Sequence, residues 1–183
     1  MHVLGISGSL RKDSFNTALL RAAVDLMPAG TTLQIGTIAD IPLYDGDLEA
    51  AQGIPAPVAT LKDQIAVCDG LLLCTPEYNN SIPGVLKNAI DWTSRPSSDI
   101  GRVFGGKATA LMGASPGGFG TILSQNAWLP VLRTLGMELW SGGRLMVPRA
   151  AAAFDAGGEL VDEKIRERLA AFLKGFVEHL KRA

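Results

Sequence analysis

A three-layer α/β/α fold around a five-stranded parallel sheet is what this sequence predicts. Three observations carry it. Short apolar runs at 2–7, 31–36, 70–75, 107–114 and 137–141 alternate with helix-period segments. The run Gly70-Leu71-Leu72-Leu73-Cys74-Thr75 has almost no polar alternation, as in a strand covered on both faces. The turns after the first, third and fourth runs are the most unusual in the chain, and ligands of open α/β sheets sit beyond the carboxyl ends of the strands.

The elements follow in order. The first strand, 2–7, stops at Gly8-Ser9. A helix over 14–27 comes next, with Ala18, Leu19, Ala22, Ala23 and Leu26 on one face. Asp13 reads as its N-cap. The second strand spans 31–36 and the second helix 56–67. The third strand, 70–75, ends at Thr75-Pro76, and a helix starts at Pro83, a residue favoured in a first turn, and runs to Thr93. The fourth strand, 107–114, leads into a helix over 120–135, which Pro130 should start, kink or split. After the fifth strand, Asp162 is the expected N-cap of a last helix with an apolar stripe at Ile165, Leu169, Phe172, Leu173, Phe176 and Leu180. Strand order 2-1-3-4-5 is one of the two common doubly wound solutions.

The 183 residues suit one domain over the whole chain, 1–183, and 47% hydrophobic against 19% charged residues describes an ordinary folded protein. A net charge of -1 gives no electrostatic case for nucleic acid or an anionic membrane. Cys68 and Cys74 lie in or beside apolar runs and are too few for a disulfide framework, which points to buried free thiols in a reducing compartment. With no basic n-region, long apolar h-region or bilayer-length run, the expectation is a cytoplasmic protein without membrane insertion.

The chemistry begins in the loop Gly8-Ser9-Leu10-Arg11-Lys12-Asp13-Ser14-Phe15-Asn16. Gly8 permits a sharp turn, Ser9, Ser14 and Asn16 carry side-chain donors, and the planar fork of Arg11 suits phosphate oxygens. The following helix aims its free N–H groups and positive dipole end at the same place. Other phosphate motifs fail on these letters. A P-loop counted from Gly5 would need Gly where Leu10 stands, Gly5-Ile6-Ser7-Gly8 has the wrong spacing for G-x-G-x-x-G, and a cysteine phosphatase would need a Cys in the loop. The loop therefore reads as built to hold a phosphate, not to cleave it.

After the third strand, Pro76 keeps the chain extended, Tyr78 offers an aromatic face, and Asn79 with its backbone offers mixed donors and acceptors for a ring edge. After the fourth, Ser115-Pro116-Gly117-Gly118-Phe119-Gly120 leaves room for close backbone approach, with N–H groups able to face a carbonyl or a developing anion. Taken singly, each is also an ordinary turn. Their joint position is what points to a ligand. Neither His2 nor His179 is placed as an acid–base catalyst, and no Cys/His cluster has metal-ligand spacing, so no catalytic side chain and no metal are expected.

These residues resemble the NADPH-dependent FMN reductase family of flavodoxin-like proteins, which includes quinone, chromate and azo-dye reductases. The resemblance rests on the loop 8–16, on Thr75-Pro76-Glu77-Tyr78-Asn79 running on through Ser81-Ile82-Pro83-Gly84-Val85-Leu86-Lys87-Asn88-Ala89-Ile90-Asp91-Trp92, and on Ser115-Pro116-Gly117-Gly118; it covers essentially the whole chain. It implies that Ser9, Arg11, Ser14 and Asn16 bind the FMN phosphate, with Phe15 of the same loop among the cofactor-binding residues. It implies that Pro76, Glu77, Tyr78 and Asn79 line the isoalloxazine and ribityl region, and that Ser115, Gly117 and Gly118 approach the ring. Hydride would pass from NADPH or NADH to FMN and electrons onward to a small acceptor, with quinones preferred over flavin, chromate and azo compounds. Arg95, Arg102, Lys107 and Arg144 are unranked candidates for the extra phosphate of NADPH.

Rival readings are an electron carrier and a redox sensor with FMN as a structural ligand. The near-neutral charge argues against the first, because carriers usually dock through acidic surfaces. A receiver-like signalling domain would need carboxylates at strand ends where Ser7 and Thr75 stand. Apolar residues at Val85, Leu86, Ala89, Ile90 and Trp92, and at Ile122, Leu123, Trp128, Leu129, Val131 and Leu132, exceed one sheet-facing stripe. With the resemblance they give the expectation of a homodimer or homotetramer.

Overall fold

Six strands form one parallel sheet in a computed structural model that describes residues 1–182. They are β1 (His2–Ser7), β2 (Thr32–Gly36), β3 (Gly70–Cys74), β4 (Ala108–Ala114), β5 (Glu138–Leu139) and β6 (Leu145–Val147). The order is β2-β1-β3-β4-β5, as expected, with β6 also paired to β4. Ser7 lies opposite Cys74, and Cys74 opposite Met112, so β1 and β3 end level, β4 runs two residues further to Ala114, and the three loops leave from one edge.

The helices are α1 (Phe15–Asp25), α2 (Gly46–Gln52), α3 (Ala56–Val67), α4 (Gly84–Thr93), α5 (Ile100–Val103), α6 (Ile122–Thr134) and α7 (Glu163–Leu180). Side chains alternate across the strands. Val3, Leu72, Cys74, Ala110 and Met112 face α1 and α7, while Leu4, Ile6, Leu71, Leu73 and Leu111 face α3, α4 and α6. These two cores are the interfaces between the sheet and its two helix layers.

Four local differences from the sequence reading have physical causes. The N-cap of α1 is Ser14 and not Asp13: Ser14 is extended, and its Oγ accepts from Thr17 N–H at 3.4 Å. Pro83 stands one residue before α4 as its cap position. Pro130 lies inside α6 without splitting it, and Gly120, at φ +65°, delays the start of that helix to Ile122. The fifth strand is divided. β5 pairs Ala108 and Thr109, and β6 pairs Met112 to Ala114. Between them the Trp140 side chain joins Phe172 and Phe176 of α7, at ring-centroid distances of 5.2 and 5.6 Å, while its N–H still donates to Thr109 C=O. Gly142 and Gly143 make room, since a Cβ on either would come within 2.5 and 2.6 Å of the indole. Asp162 caps α7 as expected, its Oδ1 accepting from Ile165 N–H at 3.1 Å.

Candidate functional site

Short contacts tie the three loops together at their roots. Gly8 N–H donates to Cys74 C=O at 2.9 Å, and a Cβ on Gly8 would lie 2.8 Å from both Pro76 and Leu86. Glycine is therefore required there by close approach of the first loop to the second. Thr75 N–H donates to Met112 C=O, and the Thr75 hydroxyl meets Ser124 Oγ at 2.9 Å and Trp128 Nε1 at 3.0 Å.

In the first loop, Arg11 is exposed, and its guanidinium lies 5.4 Å from the Phe15 ring centroid, with Phe15 stacked in turn on Phe154 at 5.9 Å. This stack orders the cation at the N-terminus of α1. No ion pair engages Arg11 or Lys12 among the described residues. Ser9 and Arg11 line a cleft with Thr17 and residues 35–39. Ser14 and Phe15 line a second cleft, across the loop, with residues 154–158. Ser14 Oγ accepts from Thr17, which leaves its hydroxyl proton to donate. The first N–H groups of α1, at Phe15 and Asn16, have no intrahelical acceptor.

The Asn16 side chain is turned inward. Its Nδ2 donates to Ala114 C=O and its Oδ1 accepts from Ala114 N–H, both at 2.9 Å, and Cys74 Sγ donates to Asn16 C=O at 3.1 Å. The amide thus clamps the start of α1 to the end of β4, and what Asn16 presents to the loop is its main-chain N–H.

The second loop is a tight hairpin. Tyr78 and Ser81 exchange backbone hydrogen bonds of 3.2 and 3.0 Å around Asn79 and Asn80, at φ +49° and +61°. Asparagine tolerates these left-handed conformations. Tyr78 and Asn79 are exposed, and Pro76 is buried. Glu77 Oε2 accepts from Leu123 and Ser124 N–H at 2.8 and 3.1 Å. It caps α6 from another element, because Thr121 makes no side-chain cap of its own.

The third loop closes on itself and on the segment after β6. Ser115 Oγ donates to Gly120 C=O at 2.6 Å, Ser115 N–H to Val147 C=O at 3.0 Å, and Arg149 N–H to Gly117 C=O at 2.9 Å. Gly117 and Gly118 are exposed, and Phe119 between the glycines is 82% exposed.

The four cations singled out for the NADPH phosphate are otherwise engaged. Arg95 pairs with Glu49, Arg102 with Asp99 and Asp63, and Arg144 donates to Asn126. Lys107 donates to Ala66 and Cys68 C=O just before β4, at the opposite end of the sheet from the three loops. Burial pushes both thiols up, Cys74 most strongly.

This is the architecture of a flavodoxin-like α/β protein, with the loops after β1, β3 and β4 gathered at one edge of the sheet. A family model described as NADPH-dependent FMN reductase matches residues 1–152. The NAD(P)H-dependent FMN reductase of Pseudomonas aeruginosa is 46% identical over 165 residues, covering 90% of this chain and 87% of that protein. A 2-hydroxy-1,4-benzoquinone reductase from Burkholderia sp. is 39% identical over 168 residues, covering 92% and 90%. Among solved structures, the flavoenzyme NAD(P)H:(acceptor) oxidoreductase FerB of Paracoccus denitrificans superposes with a TM-score of 0.87 at 36% identity, over 99% of this chain and 97% of that one. The chain belongs to the NADPH-dependent FMN reductase family and is a redox enzyme with FMN as the family cofactor. Among the described residues, no helix is long and apolar enough to cross a membrane.

Proposed function

We propose that this enzyme holds FMN across the three loops and passes electrons from NADPH or NADH to quinones. The observation that carries the reading is the donor set of the first loop: an exposed, unpaired Arg11 ordered on Phe15 and sharing one cleft with Ser9, with the Ser14 hydroxyl and the free N–H groups of α1 following in the same loop. That set suits a phosphate dianion, to which each charge-assisted hydrogen bond contributes about 1.5–3 kcal/mol. Bound FMN supplies a centre that accepts hydride and releases electrons.

The chain's own groups bind and orient. Ser9, Arg11 and Ser14 take the phosphate through side chains, and Phe15 and Asn16 through main-chain N–H groups. Pro76 sets the floor beside the ring, Tyr78 and Asn79 border it from the hairpin, and Glu77 fixes that hairpin against α6. Ser115 holds the glycine loop closed so that Gly117 and Gly118 can turn N–H groups toward developing negative charge. Phe119, exposed at this rim, supplies an apolar face for a flat acceptor. The relative that reduces 2-hydroxy-1,4-benzoquinone supports quinones over chromate and azo compounds.

A homodimer accompanies this reading. Trp92, Trp128 and Leu132 are consumed by the core, but Leu123 and Leu129 of α6 stay 44% and 45% exposed. The buried free thiols fit a cytoplasmic setting. An absorbance spectrum of FMN-saturated protein, followed by anaerobic titration with NADPH and then NADH, tests the redox assignment. Flavin bands that bleach on titration and recover with 1,4-benzoquinone are expected. A protein that retains no FMN, or whose bands do not bleach, overturns it. Light scattering that finds a monomer at micromolar concentration overturns the dimer.

A further inference from the structure

We propose that Arg149, at the rim of the glycine loop, reads a phosphate of the nicotinamide dinucleotide. The inference rests on the proposed function and adds a residue that the sequence reading did not single out. Among the described residues, four other than glycine adopt positive φ: Asp40, Asn79, Asn80 and Arg149. Asp and Asn tolerate that region because their short side chains hydrogen-bond locally. Arginine has no such excuse, yet Arg149 sits at φ +49°, ψ +44°.

The surroundings hold it there. Its N–H donates to Gly117 C=O at 2.9 Å, its C=O accepts from Ala152 N–H at 2.9 Å, and the next residue, Ala150, donates to Ser115 C=O at 3.0 Å. The backbone of Arg149 is therefore part of the wall of the glycine loop. Glycine would satisfy this geometry without strain, so the side chain needs a separate reason. Arg149 is exposed, and no ion pair engages it among the described residues. Arg95, Arg102, Lys107 and Arg144 are held by protein partners, while Arg11 and Lys12 belong to the first loop. Arg149 is the free planar fork fastened to the third loop, where the donor nucleotide must approach, and its geometry suits phosphate oxygens.

Two phosphates share this chemistry, the diphosphate common to NADH and NADPH and the 2′-phosphate of NADPH alone. The test uses full-length, FMN-saturated wild type, Arg149→Gly and Arg149→Lys. It reads kcat and KM for NADPH and for NADH with 1,4-benzoquinone, the binding of 2′,5′-ADP and of ADP by calorimetry, and Tm. Arg149→Gly raises KM about tenfold or more, by the loss of a charged hydrogen-bond pair, with a smaller change in kcat. It leaves Tm equal or higher, because glycine relieves the left-handed backbone. Arg149→Lys recovers part of the affinity. A rise for NADPH alone, with weaker 2′,5′-ADP binding, assigns the 2′-phosphate; a rise for both nucleotides, with weaker ADP binding, assigns the diphosphate. KM values and both binding affinities within about twofold of wild type overturn the proposal. A wild type that oxidises neither nucleotide refutes the proposed function instead, and the binding arm still decides Arg149.

Discussion

Replacing Asn16 by Ala should cost this protein a large, measurable part of its stability. The amide makes two hydrogen bonds of 2.9 Å to the peptide of Ala114, and Asn16 is 4% exposed. Alanine leaves the Ala114 N–H and C=O without these partners, in a region that water does not reach. Each such group costs about 1–3 kcal/mol, so the pair costs about 2–6 kcal/mol. For a domain of this size about 2–4 °C of Tm follows each kcal/mol, which places the expected fall at about 4–24 °C. The assay is a thermal melt of FMN-free protein at neutral pH, since bound ligand would mask part of the loss. Asn16→Asp adds a sign test. The ionised carboxylate still accepts from Ala114 N–H but faces Ala114 C=O with no proton. Burial raises its pKa above the ordinary Asp value of about 3.9, so the deficit is largest at neutral pH. It narrows as the pH falls and the protonated acid regains a donor. An Asn16→Ala variant within about 1 °C of wild type would refute the clamp, given the size of the terms involved.

Three further outcomes follow from individual contacts. Glu77→Ala loses the cap on α6 and about 1 kcal/mol by chemical denaturation, whereas Glu77→Gln keeps an acceptor and most of that stability. If the carboxylate only caps, the pH profile of NADPH oxidation by Glu77→Gln keeps its wild-type shape; a lost limb would make Glu77 a proton carrier. Hydrogen bonds from Arg102 and Lys62 hold the Asp99 carboxyl well below the usual range. Its folded pKa is depressed, so its stabilisation is present above about pH 4 and is lost as the pH falls. The stability gap between wild type and Asp99→Asn, followed by urea titration, therefore closes in acid, and a gap that widens there would contradict the assignment. Burial raises both thiols, so a disulfide reagent at mildly alkaline pH should label neither Cys68 nor Cys74 until denaturant is added. Rapid labelling of native Cys74 would contradict its place beneath the site.

What the sequence made legible is what local pattern encodes. The β3 run of Gly70 and three leucines reads as a two-sided strand because its burial is continuous, and the structure buries all five residues of that strand. The Asp162 cap and the α7 stripe are equally local. Long-range partners were hidden. Nothing near Asn16 tells that its amide closes on Ala114, 98 residues away, or near Glu77 that its carboxylate caps α6, 46 and 47 residues away. The division of the fifth strand depends on Trp140 finding α7, which no window around 137–147 contains. Asp13 and Ser14 are both good caps, and only the backbone turn at Ser14 separates them. Arg149 leaves no signal, because a positive φ at arginine has no sequence signature.

In the proposed function, the loop 8–16 anchors a flavin through its phosphate, with Arg11 as the principal cation. Titrating FMN and riboflavin, which differ by that phosphate, into flavin-free wild type and Arg11→Ala tests it most directly. Wild type is expected to bind FMN far more tightly than riboflavin, and Arg11→Ala to lose about 10–150-fold in FMN affinity while riboflavin affinity stays nearly unchanged. Equal affinity of wild type for the two flavins, or an Arg11→Ala variant that keeps full FMN affinity but loses turnover, would contradict it.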